Sequence, residues 1–372
     1  MALNQVGLER LNSATTDKLG ERKNKIINGN MIVSQRHGTA VVTGVNSTGY
    51  RIDRWTHQID SINSAFSVSQ STDTPDEFGN SYKIDVTTAD TSLAAAHAHF
   101  FRQKIEGQNL QDFAKGTSSA KQYAVSFYVK TNKTGLYTVE LYDVDNNRQC
   151  SKTFTVADSN WNRYTLIYPA DTTGAFDNDN NNSLVLQFWL SAGSNFTSGT
   201  LNSSAWASAT TANRVSSSNV NLGDNTSNEW YLTGVQLEVG SVATEFEHRS
   251  LGQELELCKR YFFVIGKDSK RNNFRLSFPF INEAPSNTGG YMDFRFHPEM
   301  RATPTATIGS TLQLGRPQVD MSSHTVSSFN NMGPDGCHFF QYNNQTGSTG
   351  DADKYLRAGF DDNSFAEFSA EL

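Results

Sequence analysis

The clearest pattern along the chain is a regular alternation of apolar and polar positions between about residues 26 and 247. One apolar face per strand is typical of antiparallel sheets that are half open to solvent. Segments with this period of two are 123–130, 137–141, 184–190 and 235–239. Further strands are predicted at 50–59, 82–87, 95–103, 149–156 and 161–168, with Gly-, Asn- and Asp-containing turns between several of them. Many strands without alternating helices predict an all-β fold, a two-sheet β-sandwich of the jelly-roll type.

A short helix and a second β-rich region follow the sandwich. Ser250 and Gln253 have the spacing of a capping box, and apolar residues at helical spacing follow them. Beyond the helix, strands are predicted at 274–280, 302–308, 337–342, 355–360 and 365–368, whereas 322–336 is polar and turn-rich. The domain prediction is therefore an N-terminal attachment arm (1–25), a jelly-roll sandwich (26–249), a connector helix (250–262) and a smaller C-terminal β-knob (263–372).

Two regions carry apolar residues without a regular period. Residues 1–25 contain too little apolar surface to fold alone, so they are predicted to be a frayed tail or an arm ordered by a partner. The polar loop 193–228 is unusually long for a compact domain, yet Phe196, Leu201, Trp206 and Val215 are spaced through it. These side chains predict that the loop lies on a surface, either that of the sandwich itself or that of a neighbouring subunit.

Composition narrows the class of protein. The 372 residues include 24 Phe, enough bulky side chains for real cores, and the mean hydropathy of -0.53 without a long apolar run argues against membrane insertion. A net charge of -7 gives no electrostatic basis for nucleic-acid binding. The first residues lack the pattern of a signal peptide. Cys150, Cys258 and Cys337 are few and far apart, which predicts reduced thiols rather than disulfides.

Several segments resemble known proteins. Asn24–Arg36 and Tyr50–Trp55 are similar to the opening of a family of bacteriophage tail-fibre and virion structural proteins, and Glu229–Glu247 running into Gly252–Tyr261 resembles that family's closing signature. Strands 124–130 and 161–168 are similar to those of carbohydrate-binding-module jelly rolls, and the segment 298–305 also recurs in such virion proteins.

The resemblance implies a virion appendage subunit. It would be a homotrimeric tail fibre that binds another tail protein through residues 1–25 and attaches to host surface polysaccharide or lipopolysaccharide. Such a protein is assembled in the host cytoplasm without export. The alternatives that stay open are a capsid-borne fibre or decoration protein and a stand-alone carbohydrate-binding module.

The residues in the resembling motifs are interpreted as structural. A Trp inside a strand pattern is more often packed in a core than used as a sugar platform. The acidic and amide residues are expected to pair across strands or to fix loop geometry. These structural residues are Asp53, Trp55, Trp161, Trp230, Gln236 and Glu238.

No catalytic signature is present, so the chain is predicted not to be an enzyme. A depolymerase, using carboxylates such as Asp143 or Glu238, would need two carboxyl groups about 5–10 Å apart in a groove, and nothing in the sequence points to such a pair. His97 and His99 share a strand face but lack a third metal ligand. The segments beginning at Asp143 and Asp177 imitate the start of a calcium loop without its Gly and Glu. No cofactor is predicted, and one structural calcium ion, common in carbohydrate-binding jelly rolls, stays open.

Receptor contact needs aromatic faces surrounded by Asn, Asp and Gln, because sugars present both C–H faces and hydroxyl groups. The long loop and the C-terminal unit both have such residues, and the C-terminal unit is favoured because it would be distal if the N-terminal arm is the anchor. The candidate receptor-binding residues are Phe329, Asn330, Asn331, Tyr342, Asn343, Asn344 and Trp206.

Overall fold

A computed structural model describes residues 23–266, 275–276, 280–282, 289–309, 313–315, 325–343, 355–357 and 365–372. These residues divide into two compact units. The sandwich unit contains 23–31, 41–49 and 56–248, and the C-terminal unit contains 32–40, 50–55 and the described residues from 249 onward. The change of unit after 248 lies beside the predicted boundary at 249. The two early segments that join the C-terminal unit were not predicted.

Thirteen strands lie between residues 42 and 239. They are β1 (Val42–Val45), β2 (Gly49–Ile52), β3 (Trp55–Asp60), β4 (Ala65–Ser71), β5 (Ser81–Thr88), β6 (Ala98–Glu106), β7 (Tyr123–Thr131), β8 (Gly135–Asp143), β9 (Arg148–Val156), β10 (Asn162–Tyr168), β11 (Asn182–Ala192), β12 (Ala207–Ser208) and β13 (Glu229–Val239). The first sheet runs β1-β4-β5-β13-β7-β10, and the second runs β12-β9-β8-β11-β6-β3-β2. Neighbouring strands pair antiparallel, which confirms the all-β sandwich class.

The core of the sandwich unit lies between these sheets. Phe127 of the first sheet meets Phe188 of the second edge to face, with ring centroids 4.9 Å apart. The apolar positions of the alternating segments are buried in both sheets, as their period predicts. The ladder between β13 and β7 shifts register between Thr233 and Gln236, where Gly234 has a φ of +62° that glycine adopts without strain.

The strand predictions differ from the structure in several places. The predicted strand 50–59 is two strands, because the chain turns at Asp53 and Arg54, where Arg54 has a φ of +71°. β1 (Val42–Val45), β4 (Ala65–Ser71) and the strand Phe262–Ile265 were not predicted. The region 322–336, predicted as turns, contains the strand Thr325–Gly333, in which Val326 and Phe329 are buried. The polar residues of this strand interrupt the apolar alternation, so the pattern did not indicate its two core positions.

The C-terminal unit contains a helix and two sheets. Helix Leu251–Lys259 begins with the predicted capping box, since Ser250 and Gln253 exchange side-chain to backbone hydrogen bonds. The strands of this unit that follow the helix are β14 (Phe262–Ile265), β15 (Arg275–Leu276), β16 (Phe280–Asn282), β17 (Gly289–Arg295), β18 (Thr305–Ile308), β19 (Gln313–Gly315), β20 (Thr325–Gly333), β21 (Gly336–Asn343), β22 (Tyr355–Arg357) and β23 (Ala366–Ser369). One sheet runs β14-β23-β18 and the other β15-β22-β19-β20-β21-β17-β16.

The long loop 193–228 lies on the outer face of the second sheet. A short helix, Ser194–Thr197, opens it, and Val215 packs with Trp189, Phe100 and Phe196. Arg214 donates from Nε to the buried carboxylate of Glu140 on β8 at 2.9 Å. Of the two surfaces left open by the sequence, the loop therefore covers the sandwich's own sheet.

Residues 23–25 of the predicted N-terminal arm belong to the sandwich unit. The backbone N–H of Lys25 donates to the carbonyl of Leu237 at 2.9 Å, and the side chain of Asn24 donates to the carbonyl of Val235 at 3.0 Å. Residues 1–22 lie outside the described residues. No helix among the described residues is long and apolar enough to cross a membrane. All three cysteines are buried free thiols, as predicted.

A buried histidine pair lies inside the sandwich unit. The Nε2 atoms of His57 and His99 contact each other, and the ring of His99 packs on Phe66 with centroids 4.3 Å apart. His97 has a different partner, because its Nδ1 lies 3.1 Å from Oδ2 of Asp90. The two histidines that share a strand face in the sequence therefore have separate environments.

The free energy of unfolding is expected to fall as the pH drops below about 6.5, the usual pKa of His. Burial, and then the charge of His57, hold the pKa of His99 well below its ordinary value, so the unfolded chain binds a proton that the folded chain does not. Each proton bound only by the unfolded chain lowers the free energy of unfolding by up to about 1.4 kcal/mol per pH unit. Urea unfolding at pH 7.5, 6 and 5 measures the slope. His99→Phe should reduce it, and an unchanged slope in that variant contradicts the assignment.

Candidate functional site

Trp161 is the one tryptophan of five whose side chain is not buried. Trp55, Trp189, Trp206 and Trp230 are all packed inside the protein. Trp161 is half-buried and lines a pocket of about 410 Å³ at one end of the first sheet. The pocket is lined by Lys130, Asn132, Ser159, Asn160, Trp161 and Glu229. This volume falls within the range of about 300–1,000 Å³ that is usual for small-molecule sites.

Strand ends and turns position these side chains. Lys130 lies near the end of β7 and Asn132 in the turn after it, while Glu229 begins β13. Ser159 and Asn160 lie in the turn before β10, and Trp161 directly precedes that strand. Because β7 pairs with both β10 and β13, these three chain segments converge at one edge of the sandwich.

Asp73 holds the indole in place. Trp161 donates from Nε1 to Oδ1 of Asp73 at 2.9 Å, and Lys130 donates from Nζ to Oδ2 of the same carboxylate at 2.6 Å. Burial acts to raise the pKa of Asp73, but these two hydrogen bonds outweigh it and lower the pKa. The carboxylate therefore stays ionised at neutral pH and fixes both an aromatic ring and a cation at the pocket.

Tyr231 lies behind Trp161 and is surrounded by charged side chains. The rings of Trp161 and Tyr231 meet edge to face, with centroids 6.1 Å apart, and the ammonium groups of Lys83 and Lys130 lie 5.4 and 5.3 Å from the Tyr231 centroid. Burial raises the pKa of Tyr231 to about 12, and its hydrogen bond to Glu229 adds to the rise. The phenol is therefore a neutral donor at physiological pH.

Positive and negative side chains are paired around Tyr231. Burial disfavours the charge of Lys83, but hydrogen bonds with Asp85 and Tyr231 outweigh burial and raise the pKa of the ammonium. Nζ of Lys83 lies 2.9 Å from Oδ1 of Asp85 and 3.5 Å from Oε2 of Glu229. Charges of both signs are therefore fixed next to Glu229, the carboxylate that lines the pocket.

The rim of the pocket supplies amide and hydroxyl groups. The side chain of Asn132 donates to the carbonyl of Ser227 at 2.7 Å and accepts from the backbone N–H of Glu229 at 3.0 Å, so its position is fixed. Ser159 and Asn160 are exposed. An aromatic ring next to amide, hydroxyl, carboxylate and ammonium groups can contact both the C–H face and the hydroxyl groups of a sugar.

The two aromatic rings among the predicted receptor residues that can be described are buried. Trp206 is 7 % exposed and donates from Nε1 to the carbonyl of Pro169 at 2.8 Å. Phe329 is 5 % exposed inside the core of the C-terminal unit, where it packs edge to face on Phe368. Neither ring presents an open face in the single chain, so their positions do not support receptor contact.

The asparagines beside Phe329 are more accessible. Asn331 is exposed with a φ of +52°, and Asn330 is half-buried with its side chain donating to Oγ of Ser328 at 3.2 Å. Tyr342 and Asn343 lie in β21, but their side chains lie outside the described part of the chain, as does the whole of Asn344. Their role stays a prediction.

Gln236 and Glu238 of the closing motif lie in β13 and form hydrogen bonds with the segment that follows this strand. The carboxylate of Glu238 accepts from the backbone N–H of Thr244 at 2.8 Å and from the side chain of Gln236 at 2.9 Å. Gln236 in turn accepts from the backbone N–H of Glu247 at 2.8 Å. Glu238, Gln236 and Trp230 are fully buried, so these side chains serve the fold of the sandwich unit.

Asp53, Arg54 and Trp55 of the opening motif belong to the C-terminal unit. Asp53 accepts two hydrogen bonds from Gln35 at 2.6 Å each, and burial raises the pKa of Asp53 to about 6 against the opposing charge of Arg36. The neighbouring Arg54 pairs with Glu371. Asp53 and Arg54 lie in the turn between β2 and β3, and neither Gln35 nor Glu371 lies in a strand, so these contacts fix the turn and are not the expected cross-strand pairs.

Five pocket residues were not predicted: Lys130, Asn132, Ser159, Asn160 and Glu229. Trp161 was assigned to structure because a strand pattern surrounds it. The signal that could have found the site is the turn Asp158–Asn160 directly before Trp161, since an aromatic residue at the tip of a polar turn is more often accessible than one within a strand.

Comparisons with known proteins give only distant similarities. No protein-family model matches the sequence, and a search of curated protein sequences finds no match. One similar structure is the enzymatically active domain of tailspike protein 4 from bacteriophage CBA120, at 13 % identity and a TM-score of 0.30 over 58 % of this chain. The alignment covers 21 % of that tailspike chain, so this chain spans only a small part of its length.

Two carbohydrate-binding modules are also similar in structure. The family 11 module of the cellulase Lic26A-Cel5E of Clostridium thermocellum aligns at 12 % identity and a TM-score of 0.27, over 57 % of this chain and 100 % of that chain. The CBM22-1 xylan-binding domain of Xyn10C from Paenibacillus barcinonensis aligns at 13 % identity and a TM-score of 0.26, over 56 % and 99 %. Similarities at this level carry no argument about function.

Proposed function

We propose that this chain is a glycan-binding protein whose site is the Trp161 pocket. The observation that carries the proposal is the half-buried indole of Trp161, held by Asp73 beside Asn132, Ser159 and Asn160. A fixed aromatic face with hydrogen-bonding groups at its rim suits a pyranose ring, which has apolar C–H faces and polar edges.

The proposed role is binding without hydrolysis. Asp143 and Glu238, the carboxylates that a depolymerase would use, are fully buried. Asp143 is paired with Lys115, and Glu238 is bonded to Gln236 and Thr244. Neither carboxylate lines the Trp161 pocket, and the carboxylate that does, Glu229, accepts from the hydroxyl of Tyr231 at 2.9 Å and lies 3.5 Å from Nζ of Lys83.

The proposal extends to a bacteriophage virion appendage, a homotrimeric tail-fibre subunit that reaches host polysaccharide or lipopolysaccharide. Its support is the resemblance of the opening and closing segments, together with the gain in avidity that repeated weak sites provide. A capsid-borne fibre would expose the same pocket from another part of the particle. Antibody labelling of intact particles distinguishes the two positions, and particles without the chain contradict both.

Trp161→Ala is expected to weaken glycan binding at least about tenfold, which corresponds to about 1.4 kcal/mol per site, because it removes the stacking face. An array of bacterial surface oligosaccharides identifies a ligand for the unmodified full chain, and affinity electrophoresis in that glycan compares the variants. The unfolding midpoint should change little, since the side chain is only half-buried.

Tyr142→Ala is the matched control for this experiment. Tyr142 is also half-buried and aromatic, but it lies on β8 of the second sheet and bonds Asn147 at 2.8 Å. It should leave glycan binding unchanged. Equal losses in Trp161→Ala and Tyr142→Ala, or no loss in the first, would exclude the pocket as the site.

A further inference from the structure

The ammonium group of Lys115 lies in a cage of oxygen atoms inside the sandwich unit. Its Nζ is 2.6 Å from Oδ2 of Asp143 and 3.2 Å from Oδ2 of Asp171. Two backbone carbonyls complete the cage, those of Thr173 at 2.9 Å and Gly174 at 2.6 Å. The side chains of Lys115 and Asp143 are fully buried. A flexible lysine is therefore held at one point by four oxygens from two parts of the chain.

These donors are of the kind that bind a hard cation. Calcium ions take carboxylate and backbone carbonyl oxygens, and this cage offers two of each. Asp143 opens the segment that the sequence marks as an imitation of a calcium loop. In the folded protein, the ammonium group of Lys115 lies against Asp143 and occupies the position where a metal ion would be coordinated. A calcium ion therefore does not fit this site while Lys115 occupies it.

Further hydrogen bonds hold the two carboxylates independently of Lys115. Arg148 forms a bidentate pair with Asp171, at 2.8 Å from Nε and 3.0 Å from Nη2. The side chain of Asn146 donates to both carboxylate oxygens of Asp143, at 3.2 and 3.0 Å. The backbone N–H of Thr173 also donates to Asp171 at 3.1 Å. The oxygen positions are thus fixed by more than the lysine.

We propose that Lys115 is a built-in substitute for a divalent cation, and that the oxygens around it form a latent Ca²⁺ site which opens when its side chain is removed. The unmodified protein then orders the segments at 143–146 and 171–174 without any metal ion. Replacing Lys115 by alanine removes three methylene groups and the ammonium, which leaves room for a cation and for the waters that complete the six to eight ligands of Ca²⁺.

Lys115→Ala tests this proposal in the full chain with Tb³⁺ as the probe. Tb³⁺ binds at oxygen sites suited to Ca²⁺, and its luminescence is excited by a nearby indole. The Lys115 ammonium lies 5.7 Å from the ring of Trp206, so an ion in its place would be within sensitising distance. We expect sensitised luminescence in the variant that excess Ca²⁺ removes by competition, and none in the unmodified protein.

Thermal unfolding gives a second readout. The midpoint of Lys115→Ala should rise by about 5 °C at a Ca²⁺ concentration about a hundredfold above its Kd. The midpoint of the unmodified protein should change with neither Ca²⁺ nor a chelator. A variant that needs Ca²⁺ to fold supports the proposal, whereas one that stays unfolded with Ca²⁺ overturns it.

Two further variants control for unspecific effects. Lys115→Ala with Asp143→Asn removes one carboxylate from the cage and should bind neither Tb³⁺ nor Ca²⁺. Lys133→Ala breaks the pair of Lys133 with Asp224, which is accessible to solvent, and should show no response to either ion. A folded Lys115→Ala protein without sensitised luminescence, or equal luminescence in the double variant, overturns the proposal.

Discussion

Replacing Arg214 by methionine is expected to lower the free energy of unfolding of the sandwich unit by about 3–5 kcal/mol, the usual cost of breaking a buried ion pair on one side. Arg214 contacts both carboxylate oxygens of Glu140, at 2.9 and 3.2 Å, and Glu140 is fully buried. Without the guanidinium, the donors to this carboxylate among the described residues are neutral: the side-chain amide of Gln187 and the indole of Trp189, the latter at 2.8 Å. Urea unfolding of the full chain by tryptophan fluorescence measures the loss.

The double variant Arg214→Met with Glu140→Gln controls for this charge effect. A neutral amide keeps an acceptor for the indole of Trp189 but removes the buried charge, so part of the loss should be recovered. Arg214→Met should also loosen the loop 193–228, and limited proteolysis should cut there first. A double variant less stable than Arg214→Met would show that the loss does not come from an unpaired carboxylate.

Trp230→Ala is expected to lower the free energy of unfolding by about 3–5 kcal/mol, because truncating a fully buried indole leaves a cavity between the sheets. The Trp230 ring packs near Phe101 and Phe188, with centroids 6.3 and 6.2 Å away. Its Nε1 has no hydrogen-bond partner among the described residues, so the contribution is one of packing. Circular dichroism and urea unfolding measure the effect.

Two other variants complete this comparison. Trp230→Phe keeps most of the ring volume and removes an unpaired N–H group, so its cost should be clearly smaller than that of Trp230→Ala. Trp161→Ala truncates the same residue type at the half-buried pocket and should cost at most about 1 kcal/mol. Equal losses for Trp230→Ala and Trp161→Ala would contradict the division into one core and one site tryptophan.

The strands were predictable where one face is buried and the other is polar. Residues 123–130 alternate because β7 is paired on both sides, with β13 and β10, and places Val125, Phe127 and Val129 in the core. The same argument fails for β20, whose core residues Val326 and Phe329 are separated by polar neighbours that break the period. Local pattern therefore predicts strands with a complete apolar face and misses those with only two core positions.

The candidate site was not predictable in the same way. Trp161 and Trp230 both occur within strand-like patterns, and only the packing of the second sheet against the first decides which indole is covered. The cation cage depends on contacts that cross 28 residues or more of sequence, from Lys115 to Asp143 and Asp171. Nothing near Lys115 in the chain marks it as the partner of an acidic loop.

The amino-acid sequence by itself determined an all-β protein with a sandwich, a capped helix and free thiols, because these follow from period, capping chemistry and residue counts. The tertiary structure alone decided which residues complete each unit. Arg36 pairs with Glu371 across 335 residues, which places the segment 32–40 in the C-terminal unit. It also decided that the indole of Trp161 lines a pocket and that the ammonium group of Lys115 contacts four oxygen atoms. Such contacts depend on burial between distant segments, and burial is a property of the folded chain.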